Sequence, residues 1–289
     1  MSHSAEDTAL SAHQAALFVL LEEFDRVCKA LGIPYLLYAG TLLGAVRHGN
    51  IIPWDDDLDV LMLRTDYDHF LREAEKQLDT ERFFLQKEFS EHWPMFFSKL
   101  RLNHSTCIEN YPLKDPKTHH GIYIDIFPLD NAAPSSLGRR FQFIASKIVI
   151  ARSLGARGYK TQSALKRAFI AVSGLLPLRP FLRLAKSKND QSRFVHGFFA
   201  GGKRFSHCVF RREWFLQRKE VHFGKASYPI PEQFDEILTV LYGAYMTPPS
   251  EEEQRKKRHS VFVDPHLPYS EYIQTHALRD ESDHIGSIR

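Results

Sequence analysis

Four aspartates stand within five positions, Asp55, Asp56, Asp57 and Asp59, and the chain then turns wholly apolar through Val60-Leu61-Met62-Leu63. Read as a strand over 57–63, this stretch puts Asp57 and Asp59 on one face, about 6.6–6.8 Å apart along it, with Leu58 and Val60 on the other. Two carboxylates that close repel, and little in a protein core rewards keeping both ionised. A divalent cation does: Mg²⁺ is commonly held by one or two carboxylates completed by substrate phosphates. A bare DDDxD run also suits a solvated loop. Here, however, it follows Tyr38-Ala39-Gly40-Thr41, a strand-to-helix turn whose backbone N–H groups can meet a phosphate. Gly40 and Thr41 are therefore candidate substrate contacts, with Arg47 on the helix that follows them.

A further carboxylate, Asp125, interrupts the apolar strand 122–127, with Ile124 and Ile126 on the opposite face. If that strand neighbours the first, Asp125 joins Asp57 and Asp59. Upstream, Lys99 and Arg101 share a face of the strand 95–102. Two such cations either line a solvated edge or hold a nucleotide's phosphates, arginine bidentately and lysine as a point charge. His119-His120 lack metal-ligand spacing, and an ion that selects oxygen ignores them.

The residues Ala39-Gly40-Thr41-Leu42-Leu43-Gly44-Ala45-Val46-Arg47-His48, followed by Ile52-Pro53-Trp54-Asp55-Asp56-Asp57-Leu58-Asp59-Val60, resemble the signature of the LicD family, whose animal relatives include fukutin. Gly121-Ile122-Tyr123-Ile124-Asp125-Ile126-Phe127-Pro128-Leu129-Asp130 is similar too, as is Tyr242-Gly243-Ala244-Tyr245-Met246 with Pro248-Pro249. In the last block Ala244 stands where the pattern carries an acid. The resemblance spans roughly residues 15 to 260. It implies a nucleotidyltransferase core and metal-dependent transfer of a phosphorylated alcohol, such as phosphocholine from CDP-choline, onto a surface glycan or its lipid-linked precursor. Asp57, Asp59 and Asp125 are then the catalytic residues and the ligands of Mg²⁺ or Mn²⁺. Trp54 or a nearby tyrosine can face a choline cation.

The remaining sequence supplies the elements that position these groups. A chain of 289 residues with 43% apolar side chains can bury a sizeable core. Its three cysteines, Cys28, Cys107 and Cys208, form neither a disulfide framework nor a zinc pattern. No signal peptide and no uninterrupted apolar run of spanning length is read, so a cytoplasmic protein is expected, peripheral at most. Leu17, Leu20, Leu21, Phe24, Val27 and Leu31 make a helical stripe over 8–31, stopped by Gly32 and Pro34. Further helices are expected from a Thr65 cap to about 78 and from Pro231 to about 242, and strands over 83–89, 105–109, 207–210 and 220–223. A short helix is expected after Gln191, and a charged helix over 251–258. Between Asp130 and Asp190 there is no acidic residue, although twelve lysines and arginines fall inside and the whole chain is only +3. Three helices are expected there, over 137–154, 163–175 and 179–187. Their mixed basic and apolar faces suit either an accessory lobe or contact with an anionic membrane. No nucleic-acid motif accompanies the charge.

The expected protein is thus α/β: a nucleotidyltransferase-like mixed sheet flanked by helices, with a basic helical insertion. Its parts are a catalytic core over 1–130, a basic lobe over 131–190, and a segment 191–289 that completes the core and frays after about 278. The expected substrates are a CDP-alcohol donor and a glycan or lipid-linked glycan acceptor, with contact to the inner face of the cytoplasmic membrane left open. Two alternatives stand beside this: a nucleotidyltransferase acting on a small molecule or protein, and a non-catalytic scaffold that binds membranes or partners.

Overall fold

The computed structural model describes residues 3–109, 115, 117–186, 192–200, 204–255 and 259–275. Helix α1 (His3–Leu31) begins earlier than its apolar stripe. Leu17, Leu20, Leu21, Phe24 and Val27 are all fully buried, so the stripe is core packing. Strand β1 (Leu36–Leu37) leads into α2 (Ala39–His48), and β2 (Asp59–Leu63) leads directly into α3 (Arg64–Glu73). Leu63 takes the cap position of α3 and makes no side-chain cap, so Thr65 lies inside the helix rather than capping it.

Next come β3 (Phe83–Gln86), β4 (Ser98–Leu102), β5 (Thr106–Glu109) and the long β6 (Tyr123–Asn131). Three helices follow, close to their expected bounds: α4 (Ser136–Arg157), α5 (Ala164–Leu175) and α6 (Leu178–Ala185). The order then runs β7 (Phe194–His196), β8 (Val209–Arg211), β9 (Arg218–Phe223), β10 (Ala226–Pro231), α7 (Phe234–Tyr242), α8 (Glu251–Arg255) and β11 (Ser260–Asp264). After Gln191 a short strand, β7, replaces the expected helix. Pro231 ends β10, where it pairs with Arg218, and does not open α7. The Gly201-Gly202 turn, the end of the 251–258 segment and the tail beyond 275 lie outside the described residues.

The principal sheet runs β1-β2-β6-β4-β3, with β7 and β8 added at the far end of β6. Only β2 and β6 are parallel; their neighbours run antiparallel, so the sheet is mixed. Helix α1 packs on β4 and β6, and α3 on β2 and β6. Val60, Ile124 and Ile126, which alternate with the aspartates, are fully buried. A second ladder joins β5 to β11, and α7 packs on α2, so residues after 191 close over the core.

The loop into β6 requires Gly121: a Cβ there would lie 2.1 Å from the Leu102 carbonyl oxygen. A buried ion cluster ties the sheet to the helical lobe. Arg64 grips Asp130 with two N–H groups at 2.7 and 3.0 Å and reaches Glu88 at 3.0 Å, while Lys186, just past α6, reaches Glu88 at 2.7 Å. Removing one member leaves an uncompensated buried charge. Asp130→Ala is therefore expected to cost about 3–5 kcal/mol of unfolding free energy, measured by urea titration. Exchange of the exposed Asp79 should change it by under about 0.5 kcal/mol.

Candidate active site

The parallel register of β2 and β6 decides the site: Asp59 is paired with Asp125. On adjacent strands about 4.8 Å apart, their side chains emerge on the same face. Asp57, two residues upstream of Asp59 and just before β2, extends the row. All three are partly buried, with side chains of Asp57 and Asp125 only 20% and 14% exposed. Burial raises the pKa of each. Asp59 rises furthest, because the charges of Asp57, Asp125 and Asp55 add to its desolvation. For Asp57 the facing His259 pulls the other way, and for Asp125 the Lys99 ammonium does.

The row is anchored to the start of α2. The Asp59 backbone N–H donates to Thr41 Oγ1 at 2.7 Å, and the Tyr38 N–H donates to the Asp59 carbonyl at 3.0 Å. Tyr38 stands at the N-cap of α2 and makes no side-chain cap of its own. Gly40 lies in that turn, and a Cβ on it would come within 3.0 Å of Asp55 Oδ2. The structure thus gathers Gly40, Thr41, Asp57, Asp59 and Asp125 at one place.

Lys99 pairs in register with Asp125 across β4 and β6, and its Nζ reaches Asp125 Oδ1 at 2.8 Å. Neither Lys99 nor Arg101 lines a solvated edge: β4 is a central strand and both are about 1% exposed. Lys99 Nζ also sits 3.1 Å from the centre of the Tyr123 ring and 3.4 Å from Glu109 Oε1. Burial lowers its pKa against the pull of Asp125 and Glu109. Arg101 is engaged by protein groups, donating to Gln86 Oε1 at 2.6 Å and the Gly121 carbonyl at 2.8 Å, with Glu109 Oε2 at 3.5 Å. Arg157, the last residue of α4, donates to the same Oε2 at 2.8 Å. Burial alone would raise the pKa of Glu109, but Lys99, Arg157 and Arg101 hold it well below the usual range.

Arg47 and Trp54 lie at the other end of α2. The Arg47 guanidinium donates to the Tyr245 carbonyl at 2.9 Å and stands 5.9 Å from the Trp54 ring centre. The His48 ring meets Trp54 edge-on at 6.1 Å. His119 stacks on Phe84, and burial and Arg101 push its pKa down to about 3; His120 falls to about 4 for the same reasons. Both are neutral structural groups.

Four residues reach the site without a sequence signal of their own. His259 Nε2 lies 3.3 Å from Asp57 Oδ2. It is delivered by Asp56, whose carboxylate accepts the N–H groups of His259 and Ser260, both at 3.0 Å, and the Ser260 hydroxyl at 2.6 Å. Asp56 in the acidic run was the one available clue, since a carboxylate beside the site needs a partner. For Tyr242, the last residue of α7, burial and then the charge of Asp59, with smaller contributions from Asp55 and Asp57, push the phenol pKa well up. Glu109 and Arg157 come together only through the fold. Two clefts, of about 130 and 400 Å³, open elsewhere, beside Leu63 and Phe215 and beside Asp25 and Glu220, and neither is lined by the aspartate row.

Among the described residues, no three of His, Cys, Asp and Glu converge as a ready metal cage. The donor set nonetheless suits a hard cation: carboxylate oxygens, partly desolvated and mutually repelling, of the kind that substrate phosphates commonly complete.

Comparison with known proteins adds the relationship. Residues 32–136 match the family model described as the LicD/FKTN/FKRP nucleotidyltransferase domain. The chain is 23% identical over 261 residues to the lipopolysaccharide cholinephosphotransferase LicD of Haemophilus influenzae, covering 85% of this chain and 94% of that protein. A short segment of 34 residues is 59% identical to the ribitol 5-phosphate transferase FKRP of mouse and of human, 12% of this chain and 7% of those proteins.

The raised carboxylates have a consequence for stability. An acid whose folded pKa is raised favours the fold when protonated, so that stability is present at low pH and lost as pH rises through the raised value. In the absence of divalent cations, Asp59→Asn should therefore raise Tm at neutral pH and bring it close to wild type at acid pH. Thermal melts across the pH range check this, and an unchanged or lowered neutral Tm would contradict it.

Proposed function

Starting from a LicD-family nucleotidyltransferase domain over residues 32–136, we propose that this chain transfers a phosphorylated alcohol from a cytidine diphosphate donor to a hydroxyl of a glycan or lipid-linked glycan. One observation carries the reading. The register that sets Asp59 beside Asp125, with Asp57 in line, also ties Asp59 to the N-terminus of α2 through Thr41. Carboxylates for a cation and backbone donors for a phosphate stand together.

Asp57, Asp59 and Asp125 would hold Mg²⁺ or Mn²⁺. When bound, such an ion supplies positive charge to the donor's phosphate oxygens and lowers the cost of bringing the donor against the aspartates. The N–H groups at Gly40 and Thr41 bind a phosphate there, aided by the partial positive charge of the helix end. The acceptor hydroxyl oxygen attacks the phosphorus that bears the alcohol. The bond from that phosphorus to the nucleotide's phosphate oxygen breaks, and CMP leaves. The acceptor's proton passes to a carboxylate of the row, a role assigned to Asp125.

Lys99 positions Asp125 and limits the charge in the row. Arg101 holds Lys99's neighbour Glu109 and the β6 loop, and so acts on the donor phosphates only at one remove. Arg47 holds the Tyr245 turn that follows α7, and Trp54 would offer its ring to the donor's alcohol. Activity resides in this face whichever alcohol is carried.

A binding screen with CDP-choline, CDP-ribitol, CDP-glycerol and CTP, each with and without Mg²⁺, tests the proposal. One CDP-alcohol should raise Tm in a Mg²⁺-dependent way, and should release CMP when an acceptor glycan is added. Release of pyrophosphate from CTP would instead identify a nucleotidyl transfer. Asp57→Asn and Asp125→Asn are expected to lower turnover by about 10²-fold or more, the usual range for loss of an acid–base or charge-stabilising group. Wild-type turnover in either variant, with the fold intact by circular dichroism, would place the chemistry elsewhere.

A further inference from the structure

The helical lobe presents apolar side chains that no other described residue covers. On α4, Leu137, Phe141 and Ile144 recur at helical spacing and are all exposed, while Ala145, Ser146 and Val149 on the opposite side are buried. On α5, Leu165, Phe169, Val172 and Leu175 are exposed, two of them almost completely: Leu165 at 85% and Leu175 at 87%. Within α5 only Ser173 is buried. Helix α6 adds Leu184. Contiguous exposed apolar surface of this kind marks a contact.

The helices are nonetheless well made. Ser135 and Ser163 cap α4 and α5, and Arg152 closes the C-terminal end of α5 by donating to the carbonyls of Gly174 and Leu176. The lobe is also fastened to the core, through Arg157 to Glu109 and Lys186 to Glu88. No single described helix is long and apolar enough to cross a membrane, and α5 and α6 meet at a bend of 104°. Together the pair has the length and composition of a broken span or a re-entrant loop, and the cations among its apolar side chains favour the interfacial plane.

Charge selects the occupant. Among the apolar side chains stand the exposed Arg140, Lys166, Arg167, Arg179 and Arg183, and no acidic residue occurs between Asp130 and Asp190. A second copy docking by two-fold symmetry would set this cationic face against itself. A nucleic acid would meet the cations but leave the leucines in water. An anionic bilayer satisfies both, because headgroups take the cations and the acyl boundary takes the apolar residues. We propose that α4–α6 form a dock that seats the protein on an anionic membrane surface with α5 in the interfacial plane. The inference does not depend on the transfer reaction proposed above and is read out without it.

The test is co-sedimentation of the full chain with vesicles of phosphatidylcholine alone or mixed with phosphatidylglycerol, at low and high salt. Binding is expected to the mixed vesicles at low salt and to weaken as salt screens the charges. Lys166→Gln combined with Arg179→Gln should lower partitioning by about tenfold, and Leu165→Asp with Phe169→Asp by at least as much. All four positions are exposed, so far-ultraviolet circular dichroism and Tm should be unchanged. Absence of binding, equal binding to neutral vesicles, or full binding by either double variant would overturn the proposal. So would a concentration-dependent dimer in vesicle-free solution that Leu165→Asp abolishes, which would assign the face to a second copy.

Discussion

The parallel pairing of β2 with β6 forces two carboxylates, Asp59 and Asp125, to stand side by side on one sheet face, with Asp57 close behind. With Val60, Ile124 and Ile126 in the core, alternation sends the aspartates to the other face, and the observed register then sets Asp59 beside Asp125. The repulsion is built into the fold, and much of the surrounding structure answers it. Lys99 arrives from the antiparallel neighbour β4 in register with Asp125, and His259 arrives from just before β11 to face Asp57. Neither cancels the row. The pKa values remain raised, so the face retains a demand for positive charge from outside.

Lys99 cannot stand alone in a buried strand either, and Glu109 offsets it. Glu109 carries one negative charge against Lys99, Arg101 and Arg157, and the Tyr123 hydroxyl also donates to it at 3.2 Å. That chain of dependence runs from the aspartate row through β4 and β5 to the end of α4. The lobe therefore reaches into the site through Arg157, while Arg64, Asp130, Glu88 and Lys186 make a second buried bond between sheet and lobe. Buried charges of this kind are costly to leave unpaired, so the lobe's seating on the core is specified by polar geometry as well as by packing.

The same economy of position explains α2. Its N-terminus meets the aspartates through Thr41, and its C-terminal residues hold the Tyr245 turn through Arg47. The turn follows α7, which packs on α2, and Tyr242 ends α7 within the field of Asp59. Ala244 in that turn removes an acid from a region already crowded with them. The Arg47 contact there is made to the Tyr245 backbone carbonyl, which does not require that side chain.

By itself the sequence determined what depends on neighbours along the chain. The Asp57/Asp59 spacing, the apolar strands, the α1 stripe, the glycine turn before Thr41 and all three lobe helices were legible, because period-two and period-3.6 patterns are local. Family resemblance added the site's chemistry. What the tertiary structure alone decided is who stands beside whom. It made Asp125 the partner of Asp59, excluded the solvated-edge alternative for Lys99 and Arg101 by burying both on a central strand, and engaged Arg101 with protein groups. It also brought in Glu109, Arg157, Tyr242 and His259 from distant segments. Strand neighbours and buried ion partners are chosen by register and by the cost of an unpaired charge, and both act across sequence separations that no local pattern records.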